Sequence, residues 1–288
     1  MAISSSNLAD KVEASVIVAQ DGSGDYNGTT QQCIQDAIDS ISTGGGWVFI
    51  KPGTYTINEK IVTTTAYNLK ISGVPGASIL RAGETNTIMT LLGYMTELEG
   101  LYFNGIDATG TVGDVLTLSG RDSIIRGCQF WRFTNDIIEF AADEGLITEC
   151  HFNYNVKTHI KVTGDRSMIR NCSITPGALA WGVSVTNCDY VGLIGNTLWG
   201  YYGVYTDPTS DYAVISSNRG IGLTEGIWVG GKYSVVANNT LNMNPGGTAI
   251  LEGGSGDYNM IVGNIVRKNP TGIVVYGENT ILGLNMEV

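Results

Sequence analysis

Glu139, Lys161, Ser184 and Tyr205 stand 22, 23 and 21 residues apart, and His159 precedes Lys161 by two. On a chain that repeats with that period, they would share one surface patch. Removing a proton α to a carboxylate needs a base, a proton donor and a cation that holds the carboxylate. His159 or Lys161 could serve as base or as clamp, and Tyr205 as acid. The plainer reading makes Glu139–Lys161 a surface ion pair of little energetic worth and His159 a solvated histidine. Acidic pairs offer a different chemistry. Asp114 and Asp136 are equivalent in successive repeats, and Asp143 and Glu144 follow Glu139. Two carboxylates about 5 Å apart suit a retaining glycosidase, and about 6.5–9.5 Å an inverting one. The same aspartates could simply begin strands at turns.

Aromatic residues keep the period too. Trp181 and Tyr202 are equivalent in adjacent repeats, as are Tyr205 and Trp228, with Trp199 and Tyr201 close by. Together with Ser184, Trp181, Trp199, Tyr202 and Trp228 are candidates for substrate binding. Such side chains stack on sugars and also dominate subunit contacts.

The elements that would position these residues come from a repeat. Cys128, Cys150 and Cys172 occupy one place in IIRGCQF, LITECHF and MIRNCSI, and Asn196, Asn218, Asn239, Asn264 and Asn285 continue the column. A second column runs Leu116, Ile138, Ile160, Val183, Val204, Ile227, Ile250, Ile273, and apolar residues recur two positions on. That alternation is a strand with one buried face. Repeats of 21–25 residues with short strands and Gly-rich turns mean a solenoid. The leucine frame of a leucine-rich repeat is missing. A parallel β-helix fits, since one coil of 22 residues at roughly 3.3 Å each closes a perimeter of about 70 Å, and right-handed coiling is expected. The column Thr117, Glu139, Lys161, Ser184, Tyr205, Trp228 should face outward. So should the column on the other side of the inward residues, Val115, Ile137, His159, Gly182, Gly203, Gly226 and Ala249. The thiols then read as small buried residues rather than a metal site, with the asparagines hydrogen-bonding along the stack.

Composition excludes several functions. The net charge is −11, with no basic cluster, so a nucleic-acid backbone would be repelled. No stretch of 18 apolar residues predicts membrane insertion. No signal peptide is visible at the N-terminus, which suggests an extracellular protein exported by another route or one associated with a virion. TQQCIQDAIDSIS (30–42) has the spacing of an amphipathic helix, the natural lid for a first coil whose edges and interior would otherwise be exposed. Residues 1–57 form an N-terminal segment with this helix and the first strands, and 58–288 form one continuous run of coils. The chain stops inside what reads as a coil, so a homo-oligomer through an uncapped C-terminal coil is expected.

DGSGDYNGTTQQCIQDAIDSISTGGGWVFIKPGTYTI (21–57), followed by NLKISGVPG (68–76), resembles the N-terminal cap of the pectate-lyase-like right-handed β-helix superfamily. The matching residues include Asp21, Gly22, Asp25, Ile34, Gln35, Ala37, Ile38, Asp39, Pro52, Gly53 and Tyr55. The resemblance implies polysaccharide lyases, uronan epimerases, glycoside hydrolases or viral tail-spike proteins. YYGVYTDPTSDY (201–212) is similar to the Tyr-Gly-x-Asp-Pro-His signature of uronan epimerases, which would make Asp207 catalytic. Its spacing is two residues too long, and Thr209 stands where histidine would. The expectation is therefore a protein that binds and modifies an acidic polysaccharide, of uronan lyase or C5-epimerase type, with a non-catalytic spike or adhesin as the alternative. No cofactor is required. Ca²⁺ is the one ion that the Asp21, Ser23, Asp25 turn could take, although it offers too few ligands.

Overall fold

The computed structural model describes residues 15–41, 44–63, 68–83, 88–105, 114–134, 136–175, 180–268 and 271–287. Residues 1–14 of the expected N-terminal segment lie outside these. Each coil contributes three short strands, and every strand pairs in parallel with the equivalent one in the next coil. Strip 1 is a 13-stranded sheet, running from Ser15–Ala19 and Gly46–Ile50 through Ile124–Arg126 and Leu146–Thr148 to Ile281–Gly283. Strips 2 and 3 belong to one 19-stranded sheet folded lengthwise. Strip 2 holds Gly53–Ile57, Gln129–Trp131 and His151–Asn153, and strip 3 holds Leu116–Leu118, Ile138–Phe140, Ile160–Val162, Trp181–Val185 and Tyr202–Thr206. Arg219–Val229 and Thr240–Glu252 run unbroken around the bend between them.

The register matches the repeat: Leu116, Ile138, Ile160, Val183 and Val204 stack in strip 3, with Thr117, Glu139, Lys161, Ser184 and Tyr205 opposite one another on the outside. One apolar core runs from Val18 to Val266, through residue 57 without a break. Like packs on like. Phe103, Phe130 and Phe152 of strip 2 stack at 4.7 and 4.8 Å, each pair 4° from parallel.

The corner from strip 1 to strip 2 carries the cysteine and asparagine column. Glu149, Asn171, Ser217 and Asn238, each preceding a column member, have φ between 54° and 58°. This left-handed residue reverses the inside–outside alternation, so the next residue points inward. Buried there, each asparagine serves as a second backbone. Asn218 Nδ2 donates to Leu193 O (2.8 Å), and its Oδ1 accepts from Asn196 N (2.9 Å) and Asn196 Nδ2 (3.1 Å). The pattern repeats through Asn239 and Asn264. At the start of the ladder Cys172 N donates to Asn196 Oδ1 (3.0 Å). All five thiols are free and buried, and burial pushes the Cys150 thiol well above its ordinary pKa.

The helix α1 (Gln31–Ile41) buries Cys33, Ile34, Ala37, Ile38 and Ile41 over the first coil. It also closes a free strand edge. Gln35 Oε1 accepts from Val62 N (2.9 Å) while its Nε2 donates to Val62 O (3.0 Å), as a neighbouring strand would. At the far end Leu282 continues the buried column Leu193, Ile215, Val236, Ile261 but is 54% exposed.

Replacing Asn218 by Leu should strand the amide groups of Asn196 and the carbonyl of Leu193. At about 1–3 kcal/mol for each buried group left unpaired, the expected loss is about 2–5 kcal/mol. It would be read as a fall in the urea midpoint at constant slope. A change below about 0.5 kcal/mol, the scatter of neutral surface substitutions, would contradict the role given to the ladder.

Candidate functional site

The outer face of strip 3 gathers the acidic residues. Strands one rung apart lie about 4.8 Å from each other. Glu139 faces Lys161 in the next rung, with Lys161 Nζ 3.6 Å from Glu139 Oε1 and both side chains partly exposed. Asp114 lies just before Leu116–Leu118, half-buried, and its carboxyl hydrogen-bonds to that of Glu139. Asp136 stands one rung from Asp114, since Val115 N donates to Asp136 O (3.2 Å), and its Oδ1 accepts from Thr158 N (3.0 Å). The Asp114 carboxyl is pushed up to about 6. Burial is the largest cause, followed by the hydrogen bond to Glu139 and the charges of Glu139 and Asp136, with Lys161 opposing. Two carboxyls hydrogen-bonded together cannot both ionise at ordinary cost, so one proton is retained up to about pH 6. A carboxylic acid poised in this range is a proton donor.

Beyond Lys161 and Ser184 the same face becomes aromatic. Trp181 lies 5.2 Å from Tyr202, 5.5 Å from Tyr205 and 6.4 Å from Trp228, and Tyr205 lies 5.4 Å from Trp228. Their rings tilt 37–81° from one another rather than lying flat on each other, and all four side chains are partly exposed. Burial raises the Tyr205 hydroxyl above its ordinary pKa, followed by the charge of Asp207. Tyr205 is thus a neutral hydroxyl at the aromatic end. Trp199, 44% exposed, stands on strip 2, in a different strip from this cluster.

His159 is elsewhere. The expected second outward column points inward: Val115, Ile137, His159, Gly182, Gly203, Gly226 and Ala249 are buried. These residues sit where the chain bends into strip 3, and there two consecutive residues face the core. The slot is narrow. A Cβ on Gly203 would meet Gly226 O at 2.2 Å, which requires glycine in these rungs. The His159 ring, 0% exposed, stacks on Phe152 at 6.0 Å, and neither ring nitrogen has a hydrogen-bond partner. Burial pushes its pKa down to about 3, so it is a neutral core residue and not a base on the outer face. The Asp207 carboxylate is taken up by a turn. Its Oδ1 accepts from Thr209 N (3.0 Å), Thr209 Oγ1 (2.9 Å) and Ser210 Oγ (2.7 Å), and its Oδ2 from Asn187 N (3.2 Å).

The expected set thus divides. Glu139, Lys161, Ser184, Tyr205, Trp181, Tyr202 and Trp228 share the strip 3 face, and His159, Asp207 and Trp199 do not. The bond between Asp114 and Glu139 escaped the sequence, which paired Asp114 with Asp136 alone. In the Asp21 turn, Asp21 Oδ1 accepts from Ser23 N (3.0 Å), Asp25 Oδ2 from Ile17 N (2.8 Å), and Lys51 Nζ approaches Ser23 Oγ to 2.7 Å. A lysine ammonium facing this turn disfavours a cation.

A family model described as "Right handed beta helix region" matches residues 115–283. No curated protein matches the chain. Among solved structures, DFA-IIIase from Arthrobacter chlorophenolicus A6, without its lid, is 12% identical with a TM-score of 0.76 over 94% of this chain and 89% of that one. The A-module of a mannuronan C-5 epimerase from Azotobacter vinelandii is 12% identical, with a TM-score of 0.59 over 89% of this chain and 94% of that one. The Dettilon tailspike protein is 13% identical, with a TM-score of 0.57 over 89% and 64%. At these identities the likeness is one of fold.

The His159 imidazole carries a pH dependence whose sign follows from its depressed pKa. Between about 6.5 and about 3 the unfolded chain binds a proton that the folded chain does not. Stability should therefore fall as the pH is lowered through that window, by at most about 1.4 kcal/mol per pH unit for this group. His159→Ile, matching Ile137 in the same slot, should remove this part of the slope and add about 1–3 kcal/mol at pH 7 by relieving two unpaired ring nitrogens. Parallel urea titrations of both proteins at pH 4.5 and 7 check it, and equal slopes would refute the assignment.

Proposed function

Because the chain belongs to the family of right handed beta helix regions, we propose that it is a carbohydrate-active β-helix that binds a neutral glycan along strip 3 and cleaves a glycosidic bond there. The observation that carries the reading is the Asp114–Glu139 pair, which holds a proton up to about pH 6 at one end of a tilted, partly exposed aromatic cluster. Tilted Trp181, Tyr205 and Trp228 offer ring faces to sugar rings. Asp114 then protonates the leaving oxygen as the glycosidic bond breaks, and water adds to the anomeric carbon and gives a proton back to the Asp114 carboxylate. Asp136, one rung along the stack, is the second carboxylate that would support the oxocarbenium centre. The similarity in fold to DFA-IIIase, solved in complex with DFA-III and with GF2, agrees with a carbohydrate ligand.

The uronan lyase or epimerase reading has less support. It needs an exposed base and an unpaired cation. His159 is internal, and Lys161 already faces Glu139. Asp114, Asp136 and Glu139 outnumber the one lysine, and an acidic polysaccharide approaching them meets like charge. A non-catalytic glycan-binding spike keeps one argument in its favour, the aromatic cluster, which would bind sugars without the acids.

Two substitutions separate these readings. Incubation with a panel of neutral and acidic polysaccharides, followed by NMR of the sugars, should show cleavage of a neutral glycan. The rate should decline above about pH 6 as Asp114 loses its proton. Asp114→Asn should lower it by about 10²–10⁴-fold, the worth of a general acid. Trp181→Ala should weaken binding by about 1–3 kcal/mol, as estimated from its buried apolar surface. Binding without turnover across the whole panel would favour the spike reading, and turnover of uronans alone would favour the lyase.

A further inference from the structure

The outer face of strip 1 differs in kind from that of strip 3. Tyr190, Tyr212, Tyr233 and Tyr258 occupy equivalent places at the corner that leads into strip 1, each with φ between 54° and 60°. Their rings form one stack, with centroids 4.7, 5.1 and 5.3 Å apart and planes within 14° of parallel. Two residues further along each coil comes an outward aliphatic column that includes Val214, Val235 and Met260, and two further still a smaller one that includes Ser216, Ala237 and Val262. Over the five coils beginning at Gly192 these three columns contain no charged side chain. In a protein of net charge −11, that is a conspicuous neutral surface. Val214 and Met260 are each 40% exposed.

We infer that this face is where a second copy of the chain docks, side by side, with the two solenoid axes parallel. Four observations select that occupant. The tyrosines cover one another's faces and present only edges and hydroxyls, so the stack is no sugar platform, unlike the tilted rings of strip 3. In the rungs at Val214, Val235 and Met260 the columns grade from large to small across the face. Any symmetry axis parallel to the stack then lays the tyrosine edge of one copy against the small column of the next. A copy also presents its rungs at the same spacing of about 4.8 Å, so the two corrugations stay level over their whole length. Finally, repulsion between two polyanions is least where neither carries charge.

The size is adequate. The five charge-free rungs from Gly192 to Ile281, three columns wide, span roughly 24 by 20 Å, and the three charged rungs before them extend the flank to about 38 by 20 Å, close to the 800 Å² or so that each partner contributes to a standard interface. The three rungs nearer the N-terminus carry Asp122, Glu144 and Arg166 at the place of the tyrosines, and Arg126 and Arg170 in the third column, and form a charged rim. Tyrosine and methionine are enriched in such interfaces and lysine is depleted. The contact lies along the flank of the solenoid, away from the C-terminal coil from which self-association was expected, and on a different strip from Asp114 and Glu139.

Sedimentation equilibrium at micromolar concentration tests this. The wild-type chain, 30.7 kDa, should sediment at twice that mass or a higher multiple. V214K/V235K, with both lysines outward on the middle column, should sediment as a single chain with an unchanged circular dichroism spectrum. A single-chain mass for the wild type, or an undiminished mass for a folded V214K/V235K, overturns the inference. Tyr233→Cys with Ala237→Cys decides independently, should the lysine variant not fold. The native thiols are buried, so mild oxidation should link two chains through the new pair. A product that stays single-chain on a denaturing gel overturns the parallel arrangement.

Discussion

Parallel in-register pairing gives each residue of one coil its counterpart in the next as a neighbour, about 4.8 Å away. Everything else in this protein is a consequence of that spacing. An aromatic ring can lie flat on its copy, and Phe103, Phe130 and Phe152 do so inside while four tyrosines do so outside. A buried amide can pair with its copy, and the asparagine ladder does so across five successive rungs. A charge suffers from the same arrangement, because a like charge one rung away repels. The acids of strip 3 answer by sharing a proton, as Asp114 does with Glu139, or by facing Lys161.

The corners convert this stacking into a closed coil. A left-handed residue at each of two corners breaks the strict alternation of the strands, so that neighbouring residues there both face inward or both outward. Polar backbone exposed to the core at such bends must be paired. The asparagine column does this in the later coils, where its side chains replace the missing strand-to-strand bonds. The cysteines fill the same volume in the earlier ones. Carboxylates do comparable work at the outer corner, where Asp189 Oδ1 accepts from Asp211 N (2.8 Å) and Asp211 Oδ1 from Lys232 N (2.7 Å).

Strips 1 and 3 show how one backbone can carry two surfaces of different chemistry. Strip 3 holds its aromatic rings tilted, with an acid at one end and faces available to a flat ligand. Strip 1 holds its rings stacked and closed, beside aliphatic columns without charge. The first arrangement suits reversible recognition of a sugar, and the second suits burial against another flat surface. A rigid stack keeps the two faces on separate flanks, so the chemistry assigned to one does not compete for space with the contact assigned to the other.

From the sequence alone came the coil length, the inward column from Leu116 to Ile250, the asparagine and cysteine ruler and the capping helix. All are properties of period, and a period survives in one dimension because stacking copies it in three. The outward column with Glu139, Lys161 and Tyr205 was legible for the same reason. His159 was misplaced because alternation by two assumes an extended chain, and the bend before Ile160 turns both residues inward. The Asp114–Glu139 bond joins residues 25 apart that hold different positions in their repeats, so no column contains it. The tyrosine stack has the right spacings, 22, 21 and 25 residues, but only the left-handed corner decides that those rings lie outside and face to face. Periodicity therefore determined which residues are neighbours, and the bends of the tertiary structure decided which way each of them points.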